Sequence, residues 1–187
     1  MKIGVVSDTH GYFDPRLQKV LAGTEVILHA GDVDSPEILE ELKKVAPVHA
    51  VRGNVDGADL NLPLTRTIQL GGVRIRMQHF LPIPQSELEA WSKTAQQGQI
   101  LPKRGDAFLK NFDGATRVII FGHSHQPCLV TISQVLFFNP GSAGKRRFSL
   151  PRCCGWLEIT SGKIMGGLTS LEVQGGILPG NISLQLK

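Results

Sequence analysis

Two histidines close an apolar run in VIIFGHSHQP, residues 118–127: His123 and His125. Metal-capable side chains end four other apolar runs in the same way: Asp8 and His10 in SDTH, Asp32 in AGD, Asn54 in RGN and His79 in MQH. Singly, each reads most simply as a strand-end cap or a core hydrogen bond. Together, imidazoles, carboxylates and one amide form a mixed nitrogen–oxygen donor set, which suits Mn²⁺, Fe, Zn²⁺ or Ni²⁺ better than Ca²⁺ or an all-thiolate structural zinc. Seven donors exceed the needs of one ion. They fit two ions about 3.5–4 Å apart that share a carboxylate, an arrangement able to clamp a phosphoryl group.

Such a set needs a scaffold that brings several strand ends to one place. Open α/β sheets do this, since their ligands gather at the carboxyl ends of the strands. The first third alternates accordingly: KIGVV, EVILHA and PVHAVRG read as parallel strands separated by two helical segments. In DPRLQKVLAG, Asp14 can cap, Pro15 suits the first helical position and Gly23 can end the helix. In SPEILEELKKV, Ser35 caps, Pro36 opens and lysines fall in the last turn.

The period then changes. TRTIQL and VRIRMQ around Gly71–Gly72 predict a hairpin. A helix is expected near 86–97, where SELE resembles a capping box, and a shorter one near 105–112. CLVTI-SQ-VLFF predicts a second hairpin, and CCGWLEIT-SGK-IMGGLTSLEV a third. The expected architecture is two packed sheets with helices on their outer faces. No linker divides the chain, so residues 1–187 are expected to form a single domain, with about 170–187 open between an extra strand and a tail.

Composition narrows the classes. A 41% hydrophobic content and a mean hydropathy near zero fit a globular core. No apolar run approaches the roughly 18–20 residues of a membrane span, and the N-terminus turns polar too early for a signal peptide. A cytoplasmic location without membrane association is the resulting expectation. Cys128 stands alone and Cys153–Cys154 are adjacent, so no disulfide framework is visible and the thiols read as core and surface filler. A net charge of +4 with 6% aromatics gives no strong sign of stable nucleic-acid binding. Homo-oligomerisation stays open, with Trp91, Trp156 and the tail as candidate contacts.

Through SDTHG, GDVDS, VRGNVDG, FGHSHQP and NPGS, in that order, the chain from Met1 to Leu168 resembles the calcineurin-like metallophosphoesterases, in particular their small bacterial and archaeal phosphodiesterases. The resemblance implies an α/β fold, a four-layer αββα sandwich of two mixed β-sheets flanked by helices, with metals at its rim. It implies that Asp8, His10 and His125 hold one divalent ion, that Asn54, His79 and His123 hold a second, and that Asp32 bridges. Asp32, Asn54 and His123 would then be the catalytic residues around a metal-bridging hydroxide that attacks a phosphodiester in line. Mn²⁺ is the first expectation for the ions, with Zn²⁺, Fe, Ni²⁺ or Mg²⁺ also compatible, and the substrate would be a small phosphodiester or nucleotide-like ester.

Two positions depart from the family pattern. Phe80 follows His79 where a glycine is usual; a change of loop packing is the plainer reading, and a substrate-lining role for Phe80 and the two prolines after it is the sharper one. Val55 follows Asn54 where many relatives carry a proton-donating histidine. General-acid catalysis of that kind is worth roughly 10²–10⁴-fold, which favours diesters or activated aryl esters as substrates. His29 reads as a strand-end hydrogen bond able to orient Asp32, His49 as a packed strand residue, and Asp34 and Asp56 as turn or loop-steadying groups. NPGS reads as a tight turn after a strand; the resemblance implies that it lies near the site, from which Arg146 and Arg147 could approach a substrate phosphate. The alternative function is a non-catalytic interaction scaffold resembling the phosphoesterase-like retromer subunit. Retention of all seven ligand positions favours the enzyme.

Overall fold

The computed structural model describes residues 1–147, 149–172 and 177–185. Strands β1 (Lys2–Val6), β2 (Val26–His29) and β3 (Val48–Ala50) pair in parallel, joined by helices α1 (Arg16–Val20) and α2 (Pro36–Lys43). On its other edge β1 pairs antiparallel with β4 (Cys153–Thr160), followed by β5 (Lys163–Ser170) and β6 (Ile177–Gln185), which completes a six-stranded sheet. In chain order between these halves lie β7 (Thr65–Leu70), β8 (Val73–Gln78), α3 (Gln85–Gln96), α4 (Lys103–Leu109), β9 (Thr116–Ile120), β10 (Cys128–Ile132) and β11 (Val135–Asn139). They form a five-stranded sheet in the order β7-β8-β9-β11-β10, in which β8, β9 and β11 run parallel.

Alternation along the strands builds the layers. Ile3 and Val5 of β1 join Ile75 and Met77 of β8, Val118 and Ile120 of β9 and Phe138 of β11 in a fully buried cluster between the sheets. Val6 and Ile27 point the other way, onto Leu17 of α1, Leu21 just after it, and Ile38 and Leu42 of α2. Ile119 and Phe137 likewise turn outward onto Leu88 and Trp91 of α3 and Phe108 of α4. The two mixed sheets with helices on the outer faces are therefore the α/β sandwich expected. All three predicted hairpins form, and Ser133 and Gln134 close the 128–139 hairpin at φ of 46° and 68°. Part of the open C-terminal segment pairs with β5 as β6; residues 173–176, 186, 187 and Phe148 lie outside the described residues.

Several local expectations are corrected. Ser35 precedes α2 but makes no side-chain cap bond, because its hydroxyl donates to Glu37 instead. SELE forms no capping box: Pro84, at φ −58° and ψ 141°, launches α3 at Gln85, so Ser86 is already inside the helix. Helix α4 begins at Lys103, directly after Pro102, two residues earlier than expected. Asp14 accepts the Arg16 N–H at 2.9 Å, but Pro15 stands at the cap position instead of inside the helix, and α1 ends at Val20, short of Gly23. None of the cysteines is surface filler; all three are buried free thiols, and burial pushes Cys128 and Cys153 up to about 12. Trp91 is core as well, at 5% exposure, which removes it as an oligomer contact. No described helix is long and apolar enough to cross a membrane.

Phe138, with no exposed surface, sits where the sheets meet. Phe138→Ala is expected to cost about 3–5 kcal/mol of folding stability through lost burial and the cavity left behind. A urea-unfolding series on both proteins checks this.

Candidate metal centre

All seven predicted ligands lie on loops that leave the carboxyl ends of parallel strands. Asp8 and His10 follow β1, Asp32 follows β2, Asn54 follows β3, His79 follows β8, and His123 and His125 follow β9. The parallel ladder of β1 and β2 continues into their loops: Asp8 N–H donates to Gly31 O, His10 N–H to Asp32 O and Gly11 N–H to Val33 O, each at 3.0 Å. In the second sheet Gly122 N–H donates to His79 O at 3.0 Å. The loops turn sharply. Asp8, His10, Asp32, His123 and His125 all have φ between 47° and 69°, a left-handed conformation that costs a non-glycine residue roughly 1–3 kcal/mol. Asp and His tolerate it better than most residue types, and Gly53 and Gly122 make the close approach possible. A Cβ on Gly53 would overlap Asp32, and one on Gly122 would overlap Ser7 Oγ.

What converges is a set of imidazole nitrogens and of carboxylate and amide oxygens. His10 Nε2 lies 3.2 Å from His125 Nε2, which lies 3.2 Å from Asp8 Oδ1. Asp32 Oδ2 lies 3.7 Å from His10 Nε2 and 3.3 Å from His79 Nε2, so one carboxylate oxygen faces both halves of the cluster. Asn54 Oδ1 stands 3.0 Å from His79 Nε2 and 2.9 Å from His123 Nδ1. Ring tautomers follow from the neighbours: His79 Nδ1–H donates to Ala30 O at 2.8 Å, which leaves Nε2 to face the cluster. Asp8 Oδ1 and His125 Nδ1 are buried without a hydrogen-bond partner. Two groups, Asp8–His10–His125 and Asp8–Asp32–His79, have donor atoms close enough together to hold an ion. A buried, acceptor-rich volume of this kind is what a divalent cation completes.

The titration behaviour follows the same geometry. Burial works against the Asp32 charge, but the His79 hydrogen bond, the charges of His79 and His10 and the Val55 N–H at 3.1 Å outweigh it, holding the carboxyl down at about 2. Burial likewise disfavours protonated His79, yet Asp32 and Asp8 raise it above its ordinary value. That position favours positive charge. His10 is pushed down, first by burial and then by the charge of Arg147, against the pull of Asp32 and Asp8.

A layer of supports holds the loops. Ser7 Oγ donates to Asp8 Oδ2 at 2.6 Å, and His123 N–H donates to the same oxygen at 3.2 Å. His29, fully buried, accepts Gly31 N–H on Nδ1 at 3.2 Å. Its Nε2–H reaches Thr9 Oγ1 at 3.0 Å, and the Thr9 hydroxyl lies 3.3 Å from both Asp32 O and Val33 O. His29 thus steadies the Asp32 loop through backbone and Thr9. Asp56 accepts from Asp34 N–H and Gly53 N–H, each at 2.7 Å, and ties the β2 and β3 loops together. The NPGS turn lies against the site as expected: Asn139 Nδ2 donates to Gly122 O and Ser124 Oγ, and Ser142 Oγ donates to Asp8 O. Ser7 and Thr9 went unnoticed in the sequence, although they alternate with the ligands in SDTH.

The remaining predicted residues separate. Arg146 pairs with Glu172 at 3.6 Å, whereas the charge of Arg147 is felt by His10. Arg152 donates to Gly144 O and to Asp14 and packs over the Tyr12 ring, anchoring the basic segment beside the first loop. Val55 and Phe80 are exposed at the rim, at 44% and 58%, and the Phe80 ring meets His123 edge-on with centroids 5.1 Å apart.

Comparisons with known proteins place the chain in a family. Residues 1–162 match the calcineurin-like phosphoesterase superfamily domain. A probable metallophosphoesterase of Methanothermobacter thermautotrophicus is 32% identical over 160 residues, covering 81% of this chain and 82% of that protein. A Methanocaldococcus jannaschii protein named as a phosphodiesterase is 26% identical over 164 residues, 84% of this chain and 87% of its own. Among solved structures, a single mutant of Vps29 from Entamoeba histolytica superposes with a TM-score of 0.72 over 99% of this chain and 100% of that one; at 23% identity the likeness is one of fold.

Two outcomes follow from the site. Asp8→Asn replaces a buried, half-satisfied carboxylate by an amide that can donate to His125. It is expected to stabilise the chelator-treated protein by about 1 kcal/mol while removing the rise in melting temperature on adding Mn²⁺; melting curves with and without the ion read both. Burial also pushes His29 down to about 4 from 6.5. Below pH 6.5 the unfolded chain gains a proton there that the folded chain refuses. Stability should therefore fall as pH drops towards 4, with this group contributing about 1.4 kcal/mol per pH unit. In chelator-treated protein, His29→Asn should lack that part of the slope in urea titrations between pH 6 and 5.

Proposed function

Since the chain belongs to the calcineurin-like phosphoesterase superfamily, we propose that it is a dinuclear, metal-dependent phosphodiesterase. One observation carries the reading: lone-pair atoms of Asp8, His10, Asp32, Asn54, His79 and His125 converge, with Asp32 Oδ2 between the two halves. On this reading Asp8, His10 and His125 hold one divalent ion, Asn54, His79 and His123 the other, and Asp32 bridges. Mn²⁺ is the preferred ion for this nitrogen–oxygen set. When bound, the pair supplies Lewis-acid neutralisation of phosphoryl charge and makes water acidic enough to act as a nucleophile near neutral pH.

The chain's own residues divide the rest of the work. Asp32 stays ionised because His79 and the Val55 N–H hold its charge. Asn54 contributes an oxygen without adding negative charge against an anionic substrate. Asn54 and His123 are exposed while Asp8 and His125 are buried, so the substrate approaches from the Asn54–His123 side. Arg147 draws the anion towards the His10 side, a role in which Arg146, paired with Glu172, does not share. Val55 offers no proton to a leaving oxygen, which favours diesters and esters with stable leaving groups. The phosphodiesterase named in Methanocaldococcus jannaschii supports the same preference. The same reading takes the chain as one domain acting in the cytoplasm.

The test strips the protein with chelator, restores Mn²⁺ and compares bis-p-nitrophenyl phosphate with p-nitrophenyl phosphate. The expected outcome is metal-dependent turnover that favours the diester and is lost in Asp32→Asn. Preference for the monoester would sink the leaving-group argument. Tight metal binding without turnover on either ester would leave an interaction scaffold as the better reading.

A further inference from the structure

Beside the candidate ligands lies a cleft of about 450 Å³ whose walls carry no Asp, Glu, Lys or Arg. One wall is the 122–124 segment that presents His123; the other is the loop 80–84 that follows His79. Its floor is Phe121 and Leu81, at 4% and 6% exposure, which pack into the apolar layer beneath α3. The volume falls within the roughly 300–1,000 Å³ typical of small-ligand sites.

The loop wall is apolar in its backbone as well as its side chains. Pro82 and Pro84 remove two N–H donors and fix φ. The Ile83 N–H is spent on Leu81 O at 2.8 Å, and Phe80 O accepts from Gln78 Nε2 at 2.9 Å. Few N–H groups in this wall are left to hydrogen-bond a ligand; at its end Gln85 Nε2 donates to Pro127 O, while Gln85 Oε1 is unpaired. Phe80 at the mouth is 58% exposed, yet it is not loose decoration, since its ring stands edge-on to His123 at an interplanar angle of 87°. Its remaining surface is available to a flat apolar group entering between the loops.

We propose that this cleft is the subsite for a planar aromatic group carried on the substrate phosphate, and that Phe80 sets the preference for such esters over small alkyl ones. The proposal rests on the reading of the seven-residue cluster as the phosphoryl site. A phosphate held at Asn54 and His123 places its ester substituent next to this cleft, which shares the His123 wall with the cluster. The absence of Lys and Arg from the walls selects against a second phosphate as occupant. An aryl oxide is also a leaving group that departs without the proton Val55 cannot give.

Direct binding separates this from the hydrolytic reading. Phenylphosphonate and methylphosphonate share the anionic head and differ only in the group the cleft would receive. Calorimetric titration into the Mn²⁺-loaded protein should give phenylphosphonate an advantage of about tenfold or more. In Phe80→Ala the ratio should fall below about threefold, and Phe80→Trp should keep it. Equal affinities for the two ligands in the unmodified protein would overturn the subsite and leave the phosphoryl site standing. An advantage that survives Phe80→Ala would overturn the role of Phe80. Failure of both ligands to bind would overturn the phosphoryl site, and the subsite with it.

Discussion

Imidazole nitrogens, carboxylate oxygens and an amide oxygen are crowded here into one largely buried volume, with too few protons among them to satisfy every lone pair. His10, His125, Asp8, Asp32, His79 and Asn54 point nitrogen and oxygen acceptors at a common volume. Left to itself, such a set would spread into water. The surrounding structure prevents this from the backbone outward. The β1–β2 ladder runs on into the ligand loops, Asp56 ties the loops after β2 and β3, and the NPGS turn holds those after β1 and β9. Left-handed backbone at five of the seven ligands is part of the same cost. It is offset by packing elsewhere, chiefly the apolar layers on either side of each sheet.

The centre is graded from dry to wet. Asp8, Asp32, His79 and His125 are buried, whereas Asn54 and His123 reach the rim. Burial strengthens every charge interaction among the inner groups, which is why Asp32 is held so far down and His79 is raised despite its burial. The outer groups remain accessible to a ligand. On one side of the rim lies the charge of Arg147; on the other lies the uncharged cleft bordered by Phe80. An anion with an apolar substituent matches both, each part meeting the surface that costs it least to approach.

Part of this was legible in the chain because it is local. Strand and helix periods, the hairpins at Gly71–Gly72 and Ser133–Gln134, and the ends of strands at Asp8, Asp32, Asn54, His79 and His123 are written in neighbouring residues. Where local signals competed, the reading failed. Ser35 and Ser86 both look like caps, but one hydroxyl found Glu37 nearer, and Pro84 had already begun the helix that Ser86 was to open. Arg146 and Arg147 are indistinguishable as neighbours in a basic run. Only Glu172, distant in sequence, separates them.

By itself, then, the sequence determined which residues could bind metal, their order along alternating strands and helices, and the family pattern they share, because each depends on residue type and short spacing. The tertiary structure decided that the carboxyl ends of two different sheets open onto one volume. It decided which oxygen of Asp32 looks both ways, that Ser7, Thr9 and His29 brace the loops, and that Phe80 borders a cleft instead of merely filling a loop. Those are matters of distance between atoms far apart in the chain. Such distances are set by sheet register and layer packing, which no local stretch of residues encodes.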